Sequence, residues 1–461
     1  MYKKLNNIHM VGIGGAGMSG IAEVLLNTGY NVSGSDIKKT DITLRLQKLG
    51  AKISYKHNSR NIIGADIVVV SSAIDKTNPE IRAAIAKKIP VIPRAEMLAE
   101  LARMKYTIAV AGSHGKTTTS SMIGLLLQYA GFDPTVIIGG KFNNFGSGTR
   151  LGDGEFFVAE ADESDGSFLK LSPTITVVTN IDDDHLDYYK NIENLKTAFI
   201  NFINKVPFYG CCILCLDDPG IRNILNKINR RYYTYGIKND AIVKAENVII
   251  DTAKTEFSVS YKNKSVGKIN LNVYGLHNVR NALATVCCGI ELEIPFIKIK
   301  KSLAEFRGVT RRLDLKSVVN DVIFFDDYGH HPTEIYFTLK TLKQRYKNGR
   351  LIVIFQPHRY TRTKLLYKKF GPVFKYTDIV RLMNIYSAGE KPIRGVTSTL
   401  LLNEISKYCS DAKLFDYNKD INELVKIIRP GDIVLTLGAG DVWKLHQILI
   451  PKWIQSTKKK T

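Results

Sequence analysis

Long apolar runs are missing from this sequence. Nowhere do about 18 consecutive apolar residues occur, so no membrane-crossing helix is expected. The apolar stretch near the N-terminus is broken by Gly12, Gly14, Gly15 and Gly17, and no small-residue cleavage site follows it, so no signal peptide is expected and a cytoplasmic location is. Cysteine is sparse. The six present stand at 211, 212, 215, 287, 288 and 409, which is neither a disulfide framework nor paired zinc spacing, and they read as buried free thiols. Low-complexity stretches and internal repeats are also lacking. Negative charge falls well short of positive: 65 Lys and Arg against 43 Asp and Glu leave a net +22. Yet the cations are scattered and form no aromatic-interleaved stripe, so a nucleic-acid partner is not expected, whereas anionic small substrates are. A monomer or weak dimer is the expected state.

What is there is ordinary soluble composition, 44% hydrophobic and 23% charged over 461 residues, which is too much chain for one core. Short apolar runs alternate with helical patterns throughout, the rhythm of α/β architecture. Three domains are expected: 1–104, Rossmann-like; 105–312, a P-loop ATPase-like α/β unit with a small antiparallel insert at 241–273; and 313–461, again Rossmann-like. Ligands of such folds sit at the carboxyl ends of strands.

Two glycine-rich loops stand at such ends. Gly12, Gly14 and Gly17 form GxGxxG between a strand and a helix, with Asp36 ending the next strand, a pattern suited to a diphosphate. On spacing alone this fits a dinucleotide as well as a nucleotide sugar. The second loop, Gly112-Ser113-His114-Gly115-Lys116-Thr117-Thr118, also joins strand to helix. It is shorter than the general phosphate-loop signature but keeps the amides, the lysine for transferring phosphates and a hydroxyl for magnesium. A hydride-transfer enzyme has no use for that loop; an ATP-dependent ligase acting on a nucleotide sugar uses both. Acids then cluster at two further strand ends, Glu160 to Asp165 and Asp182 to His185, from which Glu160 and His185 are the expected metal ligands. Arg359 and Arg362, three apart after a strand, suit an amino-acid carboxylate, with Tyr328 and His330 on a neighbouring loop.

The order of GSHGKTTT, EADESD, NIDDDH, GLHNVRN (275–281), DDYGHHP (326–332) and PHRYTR (357–362) resembles the successive motifs of the Mur ligase family. The likeness spans all three segments. It implies UDP-N-acetylmuramate on the first domain, ATP with Mg2+ on the second and an amino acid, L-alanine, on the third. By position it implies Gly12, Gly14, Gly15, Gly17, Ser35, Asp36, His57 and Ser72 for the nucleotide sugar. For ATP it implies Gly112 to Thr118, Asn278, Asn281, Arg312 and Asp327. Thr117, Glu160 and His185 would hold the metal, with Lys116, Glu160 and His185 carrying the chemistry. Where several relatives carry a carbamylated lysine this chain offers Ile200; Lys196 is out of step, and no such lysine is expected.

Overall fold

The structure, a computed structural model, describes residues 5–71, 73–251 and 255–458. Three sheets carry the chain. In the first, parallel strands run in the order Lys52–Ser54, Asn31–Ser35, Asn7–Val11, Ile67–Val70, Val91–Pro93. The central strand is buried almost throughout, which is why it reads as an unbroken apolar run. Strand order reverses on either side of it, so the crevice for a ligand opens where Gly12 to Gly15 lead into the helix Ala16–Asn27.

The second sheet has ten strands and centres on Tyr106–Ala111, flanked by Phe156–Glu160 and Ile175–Val178, both parallel to it. Ile175–Val178 is followed outward by Cys211–Cys215, Tyr232–Gly236 and Val243–Ile250, again parallel. The small insert expected at 241–273 attaches to the central sheet: residues 243–250 continue it, and the two strands that follow form its edge. Its outermost strands, Thr255–Tyr261 and Lys264–Leu271, turn through Lys262 and Asn263, both at positive φ (49° and 62°), the backbone a tight hairpin demands. At the other edge an unexpected hairpin, Thr135–Phe142 with Ser147–Arg150, lies beyond Phe156–Glu160.

The third sheet runs Asp314–Val319, Val322–Asp327, Ile433–Leu437, Leu351–Phe355, Ile379–Leu382, Asp411–Leu414, parallel except for its first pair. Apolar side chains cover both its faces. All six cysteines are free and buried, as their composition suggests. The first two sheets belong almost wholly to one compact unit and the third to another, which comprises the chain from Gly308 on together with short stretches starting at Ile249 and at Asn272.

Candidate active site

The phosphate loop follows from its sequence. Gly112 and Gly115 take φ of 130° and 86°, a region that penalises any side chain bearing Cβ. A Cβ on Gly112 would also stand 2.2 Å from Thr179 Oγ1. The strand-end residues 179–182 strap the loop in place. The His114 amide donates to Asn180 Oδ1 at 2.9 Å, and Thr179 Oγ1 and Asn180 Nδ2 donate to the His114 carbonyl at 2.6 and 2.8 Å. The Asp182 amide donates to Ser113 Oγ at 2.9 Å, and His114 Nε2 lies 3.0 Å from Asp182 Oδ2. Asn281, buried, packs against Gly115 and donates from Nδ2 to Asn278 Oδ1 at 3.2 Å.

Lys116 opens the following helix and turns its ammonium back over the loop. Nζ donates to the Gly112 carbonyl at 2.7 Å and to Glu163 Oε1 at 2.8 Å. Burial alone would lower its pKa, but Glu163, Asp162 and Glu160 outweigh that and hold the lysine above its ordinary value, fully charged. Glu163 is the residue that sequence reasoning passed over. A strand-end acid reads as solvated, yet this one is fully buried, its backbone carbonyl accepting from Tyr189 Oη at 2.6 Å. Its Oε2 is buried without a hydrogen-bond partner among the described residues, and its Oε1 stands 3.8 Å from His185 Nε2. Glu160 ends its strand and accepts the Gly139 amide on Oε2 at 3.0 Å. His185 sits at φ 57°, a strained backbone for a histidine and a common mark of a functional position. A buried carboxylate oxygen lacking a donor, beside a histidine and next to Lys116, is the environment a hard divalent cation completes. Lys196 instead pairs with Glu193 at 2.7 Å.

In the first sheet the Gly14 amide donates to Asp36 Oδ2 at 2.9 Å, so Asp36 fixes the loop itself. Ser35, expected at the sugar, is fully buried behind the loop. It donates to Glu80 Oε2 at 2.6 Å and lies 3.0 Å from His57 Nδ1, which is 3.2 Å from the same carboxylate. Asn61 and the Asn58 amide complete this knot. Burial would raise Glu80, but its contacts with His9, Ser35 and Asn61 prevail and hold it at about 2. Ser72 lies outside the described residues. A cavity of about 250 Å³ opens beside the first loop, lined among others by Gly15, Gly17, Arg94, Gly139, Glu160 and Asp162. It leads from the diphosphate loop to the expected metal ligand.

The remaining candidates belong to the second unit. Asp327 is buried and accepts the Leu313 and Gly329 amides at 2.7 and 2.8 Å; burial pushes its carboxyl up to about 6 against the pull of Arg312. Arg312 donates to Glu334 Oε1 at 3.3 Å and lies over the Tyr328 ring. Of the adjacent histidines, His331 caps the helix Pro332–Arg345, while the His330 ring faces Tyr328 and His358, with centroids 5.4 and 5.6 Å away. Arg359 holds φ 70°, and Arg362 Nη1 lies 3.4 Å from His358 Nδ1. Burial, then Arg362 and Arg359, push His358 down to about 4, so it is neutral near pH 7. Tyr328, His330, His358 and Arg362 thus form one cluster at the strands' carboxyl ends, with Arg359 beside it.

A phosphate loop on the central of three α/β domains, its lysine ringed by carboxylates, is the arrangement of an ATP-using ligase. The chain belongs to the Mur ligase family: residues 7–106 match the Mur ligase family, catalytic domain, 110–289 the Mur ligase middle domain and 311–440 the Mur ligase, glutamate ligase domain. It is 52% identical to a UDP-N-acetylmuramate–L-alanine ligase of Geotalea uraniireducens, covering 98% of this chain and 99% of that one. The likeness to the same-named protein of Endomicrobium trichonymphae is 51%, over 98% and 99%. Among solved structures, the UDP-N-acetylmuramate-alanine ligase of Thermotoga maritima superposes with TM-score 0.82 at 29% identity, covering 98% and 99%. The murein peptide ligase of Psychrobacter arcticus shares the fold, with TM-score 0.73 at 24% identity over 97% and 98%.

Proposed function

We propose that the chain joins L-alanine to the lactyl carboxylate of UDP-N-acetylmuramate at the expense of ATP. The observation that carries the reading is Lys116, charged and buried in its loop, beside a cavity running from the diphosphate loop to Glu160. In the first step a carboxylate oxygen of the sugar attacks the γ-phosphorus and the bond to the β-phosphate oxygen breaks, giving an acyl phosphate and ADP. The alanine amine then attacks the carbonyl carbon, loses a proton, and inorganic phosphate leaves.

The loop amides and Lys116 hold the β- and γ-phosphates and neutralise charge in the transition state. Thr117, Glu160 and His185 would hold Mg2+, which when bound supplies further charge neutralisation on the phosphates. Asn278 and Asn281 lie against the base, with Arg312 and Asp327 serving the phosphates and ribose. The amides of Gly12 to Gly17 receive the diphosphate of the sugar. Arg359 and Arg362 grip the amino-acid carboxylate beside Tyr328 and His330. Neutral His358 adds no positive charge near that carboxylate and leaves the arginines as its partners.

The test is phosphate release with UDP-N-acetylmuramate, ATP and a panel of amino acids. Alanine is expected to give the highest kcat/KM; turnover only with a preformed peptide would overturn the reading. Glycine and serine are expected to be used less well by about 1–3 kcal/mol, the cost of one methyl or hydroxyl in such a pocket.

A further inference from the structure

The central sheet has a second edge, opposite the one that carries the nucleotide loop. Because Tyr106–Ala111, Ile175–Val178, Cys211–Cys215 and Tyr232–Gly236 are parallel, their amino ends share one rim. The register places Ile108, Ile175 and Cys211 abreast, with Tyr232 opposite Cys212, so the turns just before these residues are neighbours. The Cys212 amide bonds to the Arg231 carbonyl and Cys211 to Thr174. Asn204 ties the turn before Cys211 to its neighbour, donating to the Lys227 carbonyl at 3.1 Å and accepting the Asn229 amide at 2.9 Å.

That rim is apolar where solvent should make it polar. Phe208 is 92% exposed and Tyr209 58%, standing together at a turn closed by the Gly210 amide on the Pro207 carbonyl. Met104 and Tyr106 are exposed alongside, at 62% and 49%. The turn's end is tightly held, since a Cβ on Gly210 would meet the Thr174 carbonyl at 2.2 Å, so only glycine fits there.

Cations surround them. Arg103, Lys205, Lys227, Arg230 and Arg231 are all exposed. Of the nearby acids, Glu100 pairs with Arg103 and Glu291 with Arg231, and exposed Glu155 adjoins Tyr106, so among the described residues the cations around Phe208 and Tyr209 still outnumber the acids. Arg230 and Lys205 are held by the carbonyls of Val206 and Leu169, which fix their position without cancelling their charge. Rigid exposed aromatics within a basic ring match the boundary of a bilayer rich in anionic headgroups: the rings enter the acyl border while the cations meet phosphates.

We propose that this rim docks the protein peripherally on an anionic phospholipid surface, with the nucleotide loop on the opposite edge left open to solution. The interaction is reversible, since one turn of aromatics and a few cations give weak anchoring.

The experiment is co-sedimentation of the full chain with vesicles of phosphatidylcholine alone or with phosphatidylglycerol at one third, together with fluorescence of a Phe208→Trp variant. Binding only to the anionic vesicles, with blue-shifted emission from position 208, is expected. Phe208→Ser/Tyr209→Ser should cut the bound fraction at least fivefold and Lys227→Glu about twofold, with steady-state ligase activity unchanged as the sign of an intact fold. Binding without a blue shift would show general attraction of a basic protein and overturn the assignment. Equal loss of a soluble anionic polymer such as heparin in the double aromatic variant would overturn it in favour of a polyanion site.

Discussion

Lys116 is the most exposed to test of the single residues. Lys116→Ala should abolish turnover, by a factor of about 10³ or more, with circular dichroism unchanged; retained activity would refute the phosphate-loop reading. Arg359→Ala should raise the KM for alanine by about tenfold or more, the worth of one charge-assisted hydrogen bond, while leaving ATP binding nearly intact. Glu80 gives a pH prediction. Its folded pKa of about 2 lies below the ordinary 4.5, so ionised Glu80 contributes stability at and above pH 4.5 that is lost as pH falls toward 2. Glu80→Gln should cost about 1–3 kcal/mol at neutral pH and flatten the fall of melting temperature in that acid window. These residues also mark how far sequence reaches. Lys116 and the arginines were legible because spacing after a strand dictates where they lie. Glu163 was not, because its burial depends on how the Glu160–Asp165 loop folds back beneath Lys116. Ser35 misled for the complementary reason: a strand-end hydroxyl suits a ligand, but Glu80 arrives from a helix more than forty residues away and claims it.

Among the elements, the strand-to-helix units were plain from alternating apolar runs, and the phosphate-loop helix from its glycines. The hairpin Thr135–Phe142 with Ser147–Arg150 was hidden: its glycines at 139, 140, 146 and 148 read as loop, and its pairing with Phe156–Glu160 is non-local. That hairpin backs the first glycine-rich helix. A Cβ on Gly20 would stand 2.6 Å from Thr149 Oγ1 and 3.3 Å from Ile137 Cγ2, so close approach there requires glycine. Gly20→Ala should push helix from hairpin, destabilise by about 1–3 kcal/mol in denaturant titration, and raise the KM for the nucleotide sugar through distortion of the adjoining cavity. An unchanged denaturation midpoint would show that the contact yields freely. The strands at 243–271 were expected as a small antiparallel insert from their alternation; what alternation leaves out is where the insert attaches, which the parallel register of Tyr235 with Val243 fixes as the edge of the central sheet.

At the scale of the molecule, the phosphate loop and the arginine cluster lie in separate compact units, each with its own core. Calorimetry should therefore resolve two transitions, and a non-hydrolysable ATP analogue with magnesium should raise the one belonging to the nucleotide unit by more than the other. A single transition raised as a whole would show the units to be energetically one. The pairing of Lys116 with Glu163 bears on how such an enzyme rests between turnovers. Glu163 acts as a tethered competitor, present at high effective concentration, so nucleotide enters by exchanging one anion for another rather than by meeting a bare cation. Part of its intrinsic affinity is spent on that exchange. A polyphosphate, which can also occupy the surrounding amides, is expected to displace the carboxylate more readily than sulfate or inorganic phosphate.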